Sequence, residues 1–213
     1  MGIDRQSTPS SALLYGIFGP IFRLQSYKHV IYLVLAFPIG FFYGMVLGFS
    51  LFLGIGLSVL LVGLLILVVC IFLIRLFTGF ERWLSNTLLA VDLEAPEESF
   101  EGDGALALVR GYVDAPSTWK GLGFLTLKFW LGIVGVILVF GFSTAFSMLR
   151  SLVDRPTGVD LGEANGEPVV WTIETIPEAA IAGVLGAVLA LILLHVANLF
   201  GYVSGKMAQA LLQ

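Results

Sequence analysis

Charge is what this sequence has least of. Only 12% of its 213 residues are Asp, Glu, Lys or Arg, about half the share that soluble domains keep, so a water-facing globular surface is excluded. Basic residues are fewer than acidic ones, 11 against 15, for a net charge of -4; that balance excludes a nucleic-acid partner and suits a high-salt organism. Cysteine is limited to Cys70, inside an apolar run, which rules out an intramolecular disulfide or a cysteine metal cluster and leaves packing as its role. The start, Met1 to Ser11, lacks a basic region leading into a short apolar core and a small-residue cleavage site, so it reads as a retained cytoplasmic tail rather than a signal peptide. Catalytic signatures are missing too. The sequence has no His-Glu-x-x-His pair, no membrane-embedded aspartate pair, no Gly-x-Ser-x-Gly elbow and no phosphate loop, so no enzyme and no cofactor are expected.

What the chain has instead is hydrophobicity, 58% of its residues. From His29 to Phe77 the only charge is Arg75, and this stretch is about twice the roughly 20 residues that cross a bilayer core. It reads as two helices, about 30–53 and 57–77, reversing near Phe52 to Leu57 at Gly54 and Gly56. Further spans are expected at about 121–146 and 178–201. Thr175, Pro177 and Glu178 open the last one: threonine caps, proline fits the first turn, and the glutamate three residues on completes a capping box. Arg5, Arg23, Lys28, Arg75, Arg82, Arg110, Lys120, Lys128 and Lys206 fall on one face of these spans, Arg150 and Arg155 on the other. Positive charge gathers on the cytoplasmic side, which puts both termini and the acidic linker 93–116 inside and the loop 147–177 outside the cell membrane.

The chain repeats itself. Tyr27, Lys28, Tyr32, Leu35, Phe37 and Gly40 correspond to Trp119, Lys120, Phe124, Leu127, Phe129 and Gly132 at one constant spacing, and Leu76-Phe77, Leu84 and Leu88-Leu89 correspond to Leu199-Phe200, Met207 and Leu211-Leu212. The fold expected is an all-α membrane protein in which a helical hairpin occurs twice, 26–92 and 117–213, behind an N-terminal tail and interfacial segment 1–25. An even number of spans per unit makes these parallel repeats. Each unit should close in an interfacial amphipathic helix, the first at 79–91, where Phe80, Trp83, Leu84, Thr87, Leu88 and Val91 share a face away from Glu81, Arg82, Ser85 and Asn86. The outer loop of the second unit carries Asn165-Gly166 before Val169-Val170-Trp171-Thr172-Ile173, the pattern of a small β-hairpin with Gly158 to Leu161.

Candidate functional residues are few. Gly40, Gly44 and Gly48 recur on one helix face at the spacing that lets another helix, or a second copy in a homodimer, come close. Pro38 is expected to kink its span. His195 and Asn198 are polar groups inside the fourth span, where polarity points to function. Lys128 lies near enough to the boundary to reach it with its ammonium, without a partner. Asp154, Asp160, Glu163, Glu167 and Trp171 form the surface of the outer loop that a stimulus would meet; their carboxylates lack calcium-loop spacing and read as a solvated acidic surface, so no metal is expected.

Several segments also resemble a known pattern. Ser26-Tyr27-Lys28, Tyr32 to Leu35, Phe37-Pro38-Ile39-Gly40, Phe80-Glu81-Arg82, Leu88 to Asp92, Asp114 to Lys120 with Leu127-Lys128, and Ile176-Pro177-Glu178-Ala179 are similar to the putative sensor domain family found in front of many actinobacterial histidine kinases. The resemblance runs from about Ser10 to Leu212. It implies a membrane sensor module that passes a signal to a cytoplasmic output protein. The sequence reading is therefore a non-enzymatic sensor-like protein in the lipid bilayer, relaying a stimulus to a protein partner; the alternative is a structural or accessory subunit of a larger membrane complex. A transporter would need a hydrated cavity, for which the spans offer no sign.

Overall fold

The computed structural model of the chain describes residues 9–96 and 104–213. Residues 1–8 of the expected N-terminal tail, with Arg5, and residues 97–103 of the acidic linker lie outside the described residues. Four helices are long and apolar enough to cross a membrane: α2 (Leu24–Gly56), α3 (Val62–Leu89), α5 (Pro116–Arg150) and α6 (Ile176–Leu212). Two shorter ones accompany them, α1 (Pro9–Phe22) and α4 (Ala105–Asp114). Long unbroken helices are what an apolar chain must form, because in hydrocarbon no water satisfies the backbone N–H and C=O groups. At most 39% of any span's most apolar stretch is buried within the chain, so most of that surface is left to face lipid.

Local sequence explains the helix ends. Pro116, with no N–H to leave unpaired, is the first residue of α5. At the start of α6 the Glu178 carboxylate accepts the N–H groups of Glu174 and Thr175, and the Glu178 N–H donates back to the Thr175 hydroxyl, the capping box read from sequence. The reversal between α2 and α3 sits at 57–61 around a short 3-10 turn, Ser58–Leu60. Gly63 makes it tight: a Cβ there would run into the backbone of Gly54, Leu57 and Ser58. Pro38 lies inside α2, which continues through it. The exit segment of the first unit differs from expectation, because α3 runs unbroken to Leu89 rather than stopping for a separate interfacial helix. Glu81, Leu84, Ser85 and Leu89 are its buried face, while Phe80 and Trp83 are exposed. The linker also holds α4, which its acidic composition concealed.

The chain forms two compact bodies. The smaller joins the segment up to Tyr27 to Ile137–Leu199. Here β1 (Thr157–Ala164) and β2 (Glu167–Ile173) pair antiparallel, Thr157 opposite Ile173 and Val159 opposite Trp171. Asn165 and Gly166 both take positive φ, 56 and 83, as a two-residue hairpin turn matching the strand twist requires. Val159 and Ile173 turn inward onto Met148, Ala179 and Ala182, so the hairpin is anchored by apolar contact to the end of α5 and the start of α6. Gly141 and Gly186 bring these two helices together, Gly141 against Leu193 and Gly186 against Ala145 and Met148.

The larger body contains Lys28–Val136 and Phe200–Gln213. Its core is Tyr43, Leu47, Cys70, Ile74 and Leu125, with a second cluster of Leu93, Phe124, Ala208 and Leu212; the Tyr43 and Phe77 rings stack at 4.6 Å. The duplication is visible in its contacts. A Cβ on Gly40 would lie 2.7 Å from the Phe129 nitrogen, and one on Gly132 would strike the backbone of Phe37. Gly40 and Gly132 are counterparts in the repeat, and so are Phe37 and Phe129, so one contact is made twice with the partners exchanged. Thr78 against Gly121 and Gly201 against His29 form a second such pair. Counting spans gives the two copies one sense. Within this body, however, α5 passes α2 in the opposite sense, since Leu33, Phe37 and Gly40 meet Gly135, Gly132 and Phe129 in turn.

Replacing Gly40 or Gly132 by leucine is expected to destabilise the protein by about 1–3 kcal/mol or more through overpacking against backbone. Gly44→Ala, where a Cβ meets nothing within 4 Å, should instead gain about 0.5–1 kcal/mol of helix propensity. Thermal unfolding of the detergent-solubilised variants measures both.

Candidate functional site: a buried ion pair among the spans

The polar centre of the larger body was hidden from sequence reasoning. Lys128 was expected to extend its ammonium to the membrane boundary unaccompanied; instead its side chain is 0% exposed and its Nζ donates to Glu81 Oε2 at 2.8 Å. Glu81 had been placed on the polar side of an interfacial helix and is equally buried. The reason is the continuity of α3: with no break after Phe77, Glu81 stays on the face that packs inside, where α5 brings Lys128 beside it. The Tyr43 hydroxyl donates to the other carboxylate oxygen, Oε1, at 3.1 Å. The Lys128 ammonium also stands 3.7 Å from the centre of the Tyr32 ring, a cation–π contact that counts for more when desolvated. Three spans, α2, α3 and α5, therefore contribute to one charged cluster.

Such a cluster is costly to build. Two charges removed from water lose several kcal/mol each unless geometry and hydrogen bonds compensate; here Glu81 has both oxygens engaged and Lys128 has both a carboxylate and a ring face. Removing one member strands the other.

A second cation in the same body, Arg75, donates through Nε and Nη2 to Thr118 Oγ1 at 3.0 and 2.8 Å and through Nη2 to Ser117 at 3.0 Å, and lies over the Tyr112 ring at 4.5 Å. Beyond Glu81, the end of α3 is tied to the first residues of the linker: Asn86 donates to the Leu93 carbonyl and accepts its N–H, at 3.1 and 2.9 Å. Gln213 donates to the Asp92 carbonyl. Glu81 thus sits less than two turns before the anchor of the linker.

Of the three glycines, Gly40 packs on α5, while Gly44 and Gly48 open onto a groove of about 290 Å³ between α2 and α5, flanked by Leu47, Leu125 and Trp130 and bordered by Tyr43. In the smaller body, both His195 ring nitrogens face carbonyl oxygens, those of Leu191 at 2.9 Å and Gly16 at 3.3 Å, which engages the ring with backbone. Asn198 donates to Ser26 Oγ at 2.9 Å; in the repeat this is the counterpart of Arg75 on Thr118. Asp154 pairs with Arg150 one turn away, Asp160 accepts the Gly162 N–H at 2.8 Å, Glu163 and Glu167 are exposed, and Trp171 is half-buried beside the hairpin core. Among the described residues, no three His, Cys, Asp or Glu come together to hold a metal ion.

Lys128→Ala is expected to cost about 3–5 kcal/mol, the effect of leaving a buried charge alone. Lys128→Met combined with Glu81→Gln should cost far less than the sum of the single changes. A double-mutant cycle on unfolding in detergent reads the difference.

No curated protein matches the chain, and no solved structure does. A family model described as "Putative sensor" does match, over residues 32–212. That span takes in α2 from Tyr32 onward, the other three membrane helices, the hairpin and every member of the buried cluster, and the chain belongs to the putative sensor family.

Proposed function

We propose that this multi-pass membrane protein is a non-enzymatic sensor that relays a stimulus to a separate protein partner. The observation that carries this reading is the Glu81–Lys128 pair. Ionisable residues within membrane spans are expensive and as a rule functional, and this pair joins α3 to α5 just above the point where Asn86 fastens the linker to α3. A stimulus that shifts α3 against α5 strains the pair, and the movement reaches the linker through Asn86 and Leu93. The loop face bearing Asp160, Glu163, Glu167 and Trp171 is the stimulus-facing surface in this reading. Gentle-detergent purification of the tagged chain from its own host should bring down a signalling protein at fixed stoichiometry, and in weaker amount from a Glu81→Gln, Lys128→Met strain. Recovery of a multi-subunit membrane complex instead would establish the accessory-subunit reading.

The charge count supports cytoplasmic termini, with the turn at 57–61 and the β-hairpin both outside. Cys70 is buried, so Val59→Cys and Glu167→Cys in a Cys70→Ala background test this. An impermeant thiol reagent added to whole cells is expected to label both positions; failure to label either one would overturn it.

A further inference from the structure

The contact of α2 with α5 has two flanks, and the repeat makes them comparable position by position. At the spacing that links Phe37 to Phe129, Tyr43 corresponds to Gly135 and Leu125 to Leu33. On one flank Gly135 lies directly on α2, where a Cβ would strike the Leu33 carbonyl. On the other flank a tyrosine takes the place of that glycine, and Tyr43 and Leu125 belong to one core cluster. No side chain fits at the distance a glycine allows, so the two helices stand further apart on this flank. Gly44 and Gly48, which correspond to Val136 and Phe140, add nothing to fill the space. A Cβ on either would meet nothing within 4 Å among the described residues.

The resulting groove of about 290 Å³ has the size and the walls of a site for one hydrocarbon chain. It follows α2 from Gly40 to Leu51, about 16 Å at about 1.5 Å per residue, which is the depth of one leaflet in a hydrocarbon core about 30 Å thick. Spread over that length, its volume is too narrow to take in a helix, whose diameter with side chains is about 10–12 Å. The hydroxyls on its walls are already engaged: Thr126 donates to the Leu122 carbonyl of its own helix at 2.9 Å, and Tyr43 donates to Glu81 Oε1 at 3.1 Å. Apart from the indole N–H of Trp130, the other side chains of the walls are hydrocarbon. A polar ligand would lose its hydrogen bonds to water and find few in return, whereas an acyl chain needs none. Gly44, Gly48 and Trp130 are exposed, so the groove opens outward from the core of this body, where a span meets the tails of the bilayer. Left empty, its walls would forfeit their contacts on one side.

We propose that this groove holds one acyl chain of a membrane lipid, with Tyr43 as the wall that also carries the hydrogen bond to Glu81. The site stands on the packing of this body and holds whether or not the chain senses anything. The probe is a phosphatidylcholine brominated along its acyl tails, and the reporter is Trp130 alone, in a chain carrying Trp83→Phe, Trp119→Phe and Trp171→Phe. Added to the detergent-solubilised chain, the probe is expected to quench Trp130 in a phase that saturates at one lipid per chain, on top of the proportional rise from lipid mixed into the micelle. Gly44→Leu with Gly48→Leu fills the groove and should abolish the saturable phase. Thr126→Phe fills it from α5 and serves where the melting temperature shows that the double variant does not fold. Gly123→Leu adds the same side chain outside the groove, where a Cβ also meets nothing within 4 Å among the described residues, and should leave the phase intact. Saturable quenching that survives filling, or quenching that is only proportional, overturns the proposal. Saturation by a brominated fatty acid where the phospholipid gives none assigns the groove to a free acid and overturns it too. A wild-type particle of two chains that filling turns into a monomer assigns the groove to a second copy, with the same result.

Discussion

In hydrocarbon an apolar side chain gains little by leaving lipid for a helix interface, so the hydrophobic effect that assembles soluble cores does not assemble these spans. What remains is close backbone approach and buried polar contact. This chain uses both in one region. Gly40 and Gly132 let α2 and α5 meet backbone to backbone, and at that crossing Lys128 is brought to Glu81 and the Tyr32 ring. Without the glycines the ion pair could not close, because any Cβ at position 40 would sit on the peptide that precedes Phe129. Without the pair, two charges would be left in a medium that solvates neither.

The duplicated hairpin shows how such a site arises on a repeated scaffold. Exchanged contacts such as Gly40 on Phe129 and Gly132 on Phe37 mean that the same packing solution is used in both halves, so packing alone does not require a charge. One contact between the halves brings Tyr32, Glu81 and Ser85 of the first together with Lys128 of the second, where the equivalent positions are Phe124, Ser204 and Ala208 of the second with Ala36 of the first. The cluster is an addition to one of two equivalent contacts, and the other is built without it. That asymmetry is the physical argument for function here, since a stabilising role would be better served by the uncharged version.

The β-hairpin is held differently. It lies between the end of α5 and the start of α6, and Val159 and Ile173 anchor it on Met148, Ala179 and Ala182, with Trp171 packed against them. Its remaining surface is free to be acidic and exposed, as Glu163 and Glu167 are. Firm anchoring with an exposed acidic face suits a surface that meets something outside the chain.

The sequence by itself determined whatever depends on neighbours along the chain. The four spans follow from uncharged runs longer than a bilayer core, the α6 cap from Thr175 and Glu178, the hairpin turn from Asn165-Gly166, and the duplication from constant spacing. Each rests on interactions spanning a few residues, or on composition, and these do not change with tertiary context. The buried centre was not legible in that way. Lys128 and Glu81 are 47 residues apart, and each alone reads as a boundary residue, because a charge near a helix end normally reaches water. Only the unbroken course of α3 and the glycine-mediated crossing of α5 decide that neither does. The same holds for Gly44 and Gly48, which share a face with Gly40 by periodicity but open onto a groove, since which stretch of a glycine face is covered depends on where the neighbouring helix crosses it.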